Sequence, residues 1–278
     1  MTWDVSGRWE AAVCTPKTLP PGAWMAAAEH AARLNPVNRP AAGTAQQMAA
    51  GFAVTPEHLA VLTTKYWPAG TLIPVAFLDN PPADLQDRIL GHANAWGETA
   101  NIAFVPAAPE NAWVRVARFP GGGYWSLLGT DHRLAATGQI EVGTPAGETL
   151  NLDSFTMGTP DSEFHRVVRH EFGHALGFPH EHSRPEIVAL LDPPKVIAYF
   201  EATQGWSEAM IRDQILTPLD PSQELAAPAE TTSIMCYQFP GSVTKTGEPI
   251  PGGTDLTAED AAFAARVYPG RMPAPPWA

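Results

Sequence analysis

The stretch HEFGHALGFPH at residues 170–180 limits this chain more than any other. It begins inside the best-defined helix signal in the sequence, residues 160–177. Thr159 is a suitable N-cap, Pro160 suits the first helical position, and Asp161 and Glu163 favour the positive end of the helix dipole. Residues four apart on a helix share a face, so His170 and His174 can direct two imidazoles at one cation. Glu171 sits beside that pair without sharing its face, where a carboxylate can hold a metal-bound water instead of ligating the metal. His180 lies six residues beyond His174 and cannot come from the same helical face. The helix must therefore end and turn back, which Gly177 makes cheap. Three neutral imidazoles with one open position match a catalytic zinc rather than a closed structural one. His182 follows closely and is read as a neighbour of the ligands. His30, His58, His92, His132 and His165 show no partner pattern, so core or surface roles are expected for them.

Bulk properties exclude several classes of partner. The net charge of −12 leaves no basic stripe to neutralise phosphates or anionic lipid, so neither a nucleic acid nor a membrane is expected as partner. No apolar run reaches the length of a membrane span. The first residues lack the basic and apolar regions of a signal peptide. With two cysteines, Cys14 and Cys236, a disulfide framework is ruled out. A cytoplasmic setting, or export without a recognisable signal, is the expectation, with the chain acting as a monomer. Charged residues make up 17%, and 29 Pro and 23 Gly imply many ordered turns.

Hydrophobic patterning supplies a coarse element map. Residues 23–34 read as an Ala-rich helix stopped by Asn35-Pro36, and 57–67 as a second short periodic segment. Strands are expected at 71–78, 113–119, 124–129 and 138–142, with an extended piece at 149–153. Residues 84–99 place Leu85, Ile89, Ala93 and Trp96 on one helical face. Further helices are expected at 193–203, 207–216 and 258–268, the last with Thr257 and Asp260 as a capping-box variant.

At this point the residues resemble a known family. HEFGHALGFPH is similar to the long zinc signature of the metzincin metallopeptidases, and the continuation HEHSRPE at 180–186 looks like the astacin branch. Downstream, SIMCY at 233–237 resembles the astacin Met-turn, and the likeness covers roughly residues 69–270. It implies an α+β, two-lobed zincin-like domain: a twisted mixed β-sheet with the active-site helix in an upper lobe (69–177), and a largely irregular lower lobe (178–278). It implies one catalytic Zn2+ bound by His170, His174 and His180, with Glu171 as general base toward the zinc-bound water. Tyr237 would ligate zinc at rest and then swing to the tetrahedral intermediate. Met235 would form an apolar floor, and Glu181 would lie behind the third histidine. A peptide substrate would add as an extended strand to the edge near Tyr124 to Leu128. The implied activity is that of a zinc-dependent endopeptidase. The sequence departs from the family in lacking its two disulfides and in carrying Cys236 where His often precedes the tyrosine.

Residues 1–68 are read as an N-terminal segment, either an integral extension or a prosegment. Cys14 and Asp4 are its candidate zinc-blocking residues, because a thiolate is a good zinc ligand. The favoured reading is that Cys14 is a buried small hydrophobe and the segment a permanent part of the fold, and a bridge to Cys236 is open. Two other functions compete with the peptidase: a zinc-binding module without turnover, and a zinc hydrolase of a non-peptide amide.

Overall fold

The computed structural model describes residues 14, 15, 17, 19–39, 63–219 and 229–272. Five strands build one mixed sheet: β1 (Leu72–Phe77), β2 (Ala103–Pro106), β3 (Val114–Ala117), β4 (Tyr124–Ser126) and β5 (Leu150–Leu152), in the order β2-β1-β3-β5-β4. All pairings are parallel except that of β4 with β5, where Trp125 faces Asn151. The near-continuous apolar reading of β1 follows from its central place, since Ile73, Val75 and Ala76 are all buried. The antiparallel strand β4 forms one edge of the sheet.

Six helices carry the argument: α1 (Trp24–Leu34), α2 (Ala83–Ala93), α3 (Asp131–Ala136), α4 (Arg169–Ala175), α5 (Pro193–Gln204) and α6 (Ala258–Val267). The upper core lies between the sheet and α2 and α4, with Trp96, Phe104, Phe164, Phe172 and Phe178 fully or almost fully buried. A second core gathers Leu191, Val196 and Phe200 with Ile211, Phe239 and Ile250 from the lower part of the chain. The C-terminal helix, expected with the lower lobe, also reaches the upper core. Ala264 and Tyr268 pack into the upper core, and the Tyr268 hydroxyl donates to the Leu176 carbonyl.

Several local expectations changed. The 160–177 helix starts at Asp161 with Pro160 at the cap, because the Thr159 hydroxyl turns back to accept from the Thr156 amide (3.0 Å). Its middle, Phe164–Val168, is a π-turn rather than α-helix, a feature common beside functional sites. Residues 138–142 form no strand. Gly138 and Gly143 both take positive φ, and the preceding residues coil into α3, whose single leucine was too weak a periodic signal to read. Of the segment 57–67, residues 63–67 are described and run without regular structure. The Thr257–Asp260 capping box forms at α6.

Residues 19–39 pack against the domain through Leu19, Ala23 and Ala27, which meet Leu127, Leu134 and Ile140. Asn38 fixes this layer. Its amide donates to the Ala31 and Tyr66 carbonyls (3.0 and 2.8 Å), and its oxygen accepts from the Tyr66 amide and the Thr64 hydroxyl (both 2.9 Å). Asn38 is buried, so these groups have no water to fall back on. Asn38→Ala is therefore expected to cost about 2–4 kcal/mol, each buried partner left unpaired costing about 1–3 kcal/mol. Urea unfolding measures this, and a loss below about 0.5 kcal/mol would mean that the layer is not docked in solution.

Candidate metal centre

Helix α4 brings His170 and His174 to one face, and the chain then reverses. Gly177 sits at φ 96°, and a Cβ there would lie 3.0 Å from the Lys65 carbonyl oxygen. The positive φ favours glycine, and a Cβ would also crowd that carbonyl. The reversal returns His180, whose Nε2 lies 3.2 Å from that of His170 and 3.0 Å from that of His174; the last two are 3.1 Å apart.

The protons settle what these contacts are. The Nδ1 of His170 lies 2.7 Å from the Ile234 carbonyl, and that of His174 lies 2.7 Å from the Phe178 carbonyl. A carbonyl only accepts, so both Nδ1 atoms carry hydrogen and both Nε2 atoms present lone pairs. One proton on His180 could serve only one of the three contacts. Burial, then the neighbouring imidazoles, hold His170 and His180 well below the ordinary histidine range, and burial brings His174 down to about 4. Three neutral lone pairs thus converge on one point, which a divalent cation resolves. Zn2+ is the ion this nitrogen set fits.

Around this point lie the other sequence candidates. Glu171 is buried beside His170, and burial pushes its carboxyl up to about 8. The Cys14 Sγ joins the three imidazoles in a group whose ligand atoms all lie within 4.8 Å of one another. It also lies 3.5 Å from Glu171 Oε2. Both cysteines are free thiols and buried. The Tyr237 hydroxyl donates to the Cys14 carbonyl, and its ring packs against His182 at 4.0 Å, tilted by 35°, and meets His180 edge-on at 4.5 Å. Thr15 donates to the Tyr124 carbonyl (2.7 Å), so residues 14 and 15 lie along the free edge of β4. A cleft beside His170 and Glu171 is lined by Tyr124, Arg166, Val167, Ile234 and Gln238.

The Met-turn is tied down by residues the sequence did not single out for it. Asp260, the capping residue of α6, accepts from the Ser233 hydroxyl (2.6 Å) and the Ile234 amide (2.9 Å). The Glu181 amide donates to the Met235 carbonyl (2.9 Å), and its carboxylate accepts from the Glu230 amide (3.1 Å) and lies 3.4 Å from Arg184. Gly173 was missed because a glycine inside a helical pattern carries no chemical signal of its own. Its missing side chain lets Met235 pack flush beneath α4.

The sequence and the fold are similar to those of known proteins. No family model matches the chain. It is 32% identical over 114 residues to the zinc metalloproteinase nas-27 of Caenorhabditis elegans, a match covering 40% of this chain and 22% of that relative's length. One solved structure of myroilysin is similar with 31% identity and a TM-score of 0.66, covering 75% of this chain and 97% of that one. A second, a crystal structure of myroilysin, has 31% identity and a TM-score of 0.55, covering 74% and 86%. The chain belongs to the astacin-like metzincins. As in the metzincin signature, the zinc-fitting histidines straddle a helix end, and here the methionine beneath them occupies the space of a glycine side chain. A Cβ on Gly173 would stand 2.5 Å from the Met235 Sδ and 3.0 Å from Trp96. Gly173→Ala is expected to cost about 1–3 kcal/mol by overpacking and to weaken zinc retention, because it displaces the turn whose Ile234 carbonyl orients His170. Adding Met235→Ala should return much of the lost stability. Calorimetry with metal analysis reads both, and a fully stable single variant would contradict this packing.

Proposed function

We propose that this chain is a zinc-dependent endopeptidase, hydrolysing a peptide bound as an extended strand along β4. The observation that carries the reading is the convergence of three imidazole lone pairs beside a buried carboxylate on an open cleft. When held by His170, His174 and His180, zinc supplies a Lewis acid that acidifies water and polarises a carbonyl. Glu171 acts as general base, a carboxylate buried beside His170 that takes a proton from water and passes it to the leaving amine. Once released from the Cys14 carbonyl, Tyr237, which packs beside His180, would be placed to ligate the metal at rest and to donate to the oxygen on which charge develops. Met235 supports the histidines from below. The catalytic domain spans 69–278, divided at Gly177, with residues 1–68 as its extension.

Cys14 is the latch of this site. Its thiol lies among the zinc-fitting histidines, its carbonyl engages Tyr237, and Thr15 occupies the edge that a substrate strand requires. Residues 19–39 are packed onto the domain, so the latch is Cys14 with Thr15 rather than residues 19–39.

Glu171→Gln should keep its zinc and lose about 100- to 10,000-fold in kcat/KM, the usual worth of a positioned acid–base group. Metal analysis and a fluorogenic peptide assay test it. Cleavage at the wild-type rate would refute the proposed base. A peptide-length series separates an endopeptidase, which gains rate as subsites fill, from a hydrolase of small amides. Cys14→Ala should raise the activity of the freshly purified full chain at least about tenfold, the effect of about 1.4 kcal/mol of lost blocking. Equal rates for variant and wild type would leave Cys14 as core packing alone.

A further inference from the structure

A second cluster of ligand-type side chains lies at the start of the helical run that leads to His170. His92 stands at the end of α2, and Asp161 and His165 lie four residues apart at the beginning of the run. The His92 Nε2 is 3.4 Å from Asp161 Oδ1, and the His165 Nε2 is 3.3 Å from Asp161 Oδ2. One ligand atom from each lies within 4.8 Å of the others. Ligands held about 2.0–2.2 Å from a single tetrahedral cation stand about 3.3–3.6 Å apart, and the two contacts, made through different oxygens of Asp161, are of that size.

The surroundings decide which atoms face the centre. The Nδ1 of His165 lies 2.7 Å from Asp255 Oδ2. The other oxygen of Asp255 takes the Arg169 guanidinium and the Leu256 amide. Asp255 is thus a fixed acceptor, His165 carries a hydrogen on Nδ1, and its Nε2 faces the Asp161 carboxylate. Two acceptors 3.3 Å apart repel unless a cation or an extra proton lies between them. A histidine oriented by a carboxylate on its far nitrogen is the usual support of a metal ligand. Asp161 is steadied likewise: Arg88 donates to its Oδ1 (2.9 Å) while stacking over the Phe164 ring, which leaves Oδ2 for a metal. Burial, the largest cause, pushes His92 below the ordinary histidine range.

We propose that His92, Asp161 and His165 form a second metal site, distinct from the triad of His170, His174 and His180. It takes one divalent transition cation of the imidazole-preferring kind, with its remaining positions open to water because Asp161 is exposed. The ion cross-links the end of α2 to the first turn of the helical run that carries His170, Glu171 and His174. This site stands whether or not the chain is a peptidase.

Zn2+ titration of the full chain, stripped of metal and then refilled, tests this by equivalents bound per chain. The wild type should bind two. Asp161→Asn, a shape-preserving change at an exposed side chain, and His92→Gln should each bind one and keep any peptidase activity measured with a single equivalent. His174→Gln should lose the other equivalent and retain this one. Unfolding of the variants is read by circular dichroism, and the wild-type stoichiometry decides the matter even if one of them fails to fold. One equivalent in the wild type, with His165 titrating as an imidazolium by NMR, means that a proton fills the gap and overturns the site. Two equivalents in well-folded Asp161→Asn overturn it as well.

Discussion

Three imidazole lone pairs cannot share one point in a dry interior without a cation, and most of this architecture exists to hold them there. Each orienting group comes from a different place. The Phe178 carbonyl, just past the helix break, fixes His174, and the Ile234 carbonyl in the Met-turn fixes His170. The first follows automatically once Gly177 turns the chain. The second requires two distant segments to dock. Asp260 secures that docking, because its carboxylate caps its own helix and holds the Ser233 hydroxyl and the Ile234 amide. A polar cap normally worth about 1 kcal/mol here also sets the orientation of a ligand.

Burial sets the electrostatics of the same point. It raises Glu171 to about 8 and raises the Cys14 thiol well above its ordinary value, while lowering all three histidines. Each shift favours the neutral form, as removal from water demands. A pocket so arranged is poor at holding isolated charge and is therefore well suited to a group that brings its own positive charge. The thiol and the carboxyl each stand to gain from a divalent ion that offsets the cost of ionising them, and the neutral imidazoles are already in the form that ligates one.

The sequence disclosed what lies within single elements. The i, i+4 histidines, the glycine after them, the buried strand over 72–77 and the Thr257 cap were all readable, because spacing along one helix or strand fixes direction in space. What depended on contact between elements was hidden. The π-turn at Phe164–Val168, the packing of Met235 into the space above Gly173, and the placing of Tyr268 in the upper core have no local period. The expected strand at 138–142 failed for a related reason: five alternating residues fit a strand or a turn equally well, and the flanking glycines decided for the turn. Cys14 was readable as a candidate but not as a neighbour of the histidines, because 156 positions separate it from His170 (170 − 14).

The same rule explains why one histidine pair was visible and another was not. His170 and His174 advertise themselves, since both ligands of the pair lie on one helix. Asp161 and His165 have the same four-residue spacing, yet an Asp–His pair is common on solvated faces and carries no signal alone. Its third member, His92, comes from α2, and its support, Asp255, comes from the loop before α6. Helical spacing places two ligands of a metal site, and tertiary packing must supply the third. For the triad, a glycine and a six-residue return kept that third ligand within the same short stretch. At His92 the third ligand was delivered by the packing of two helices, so only the folded chain could display it.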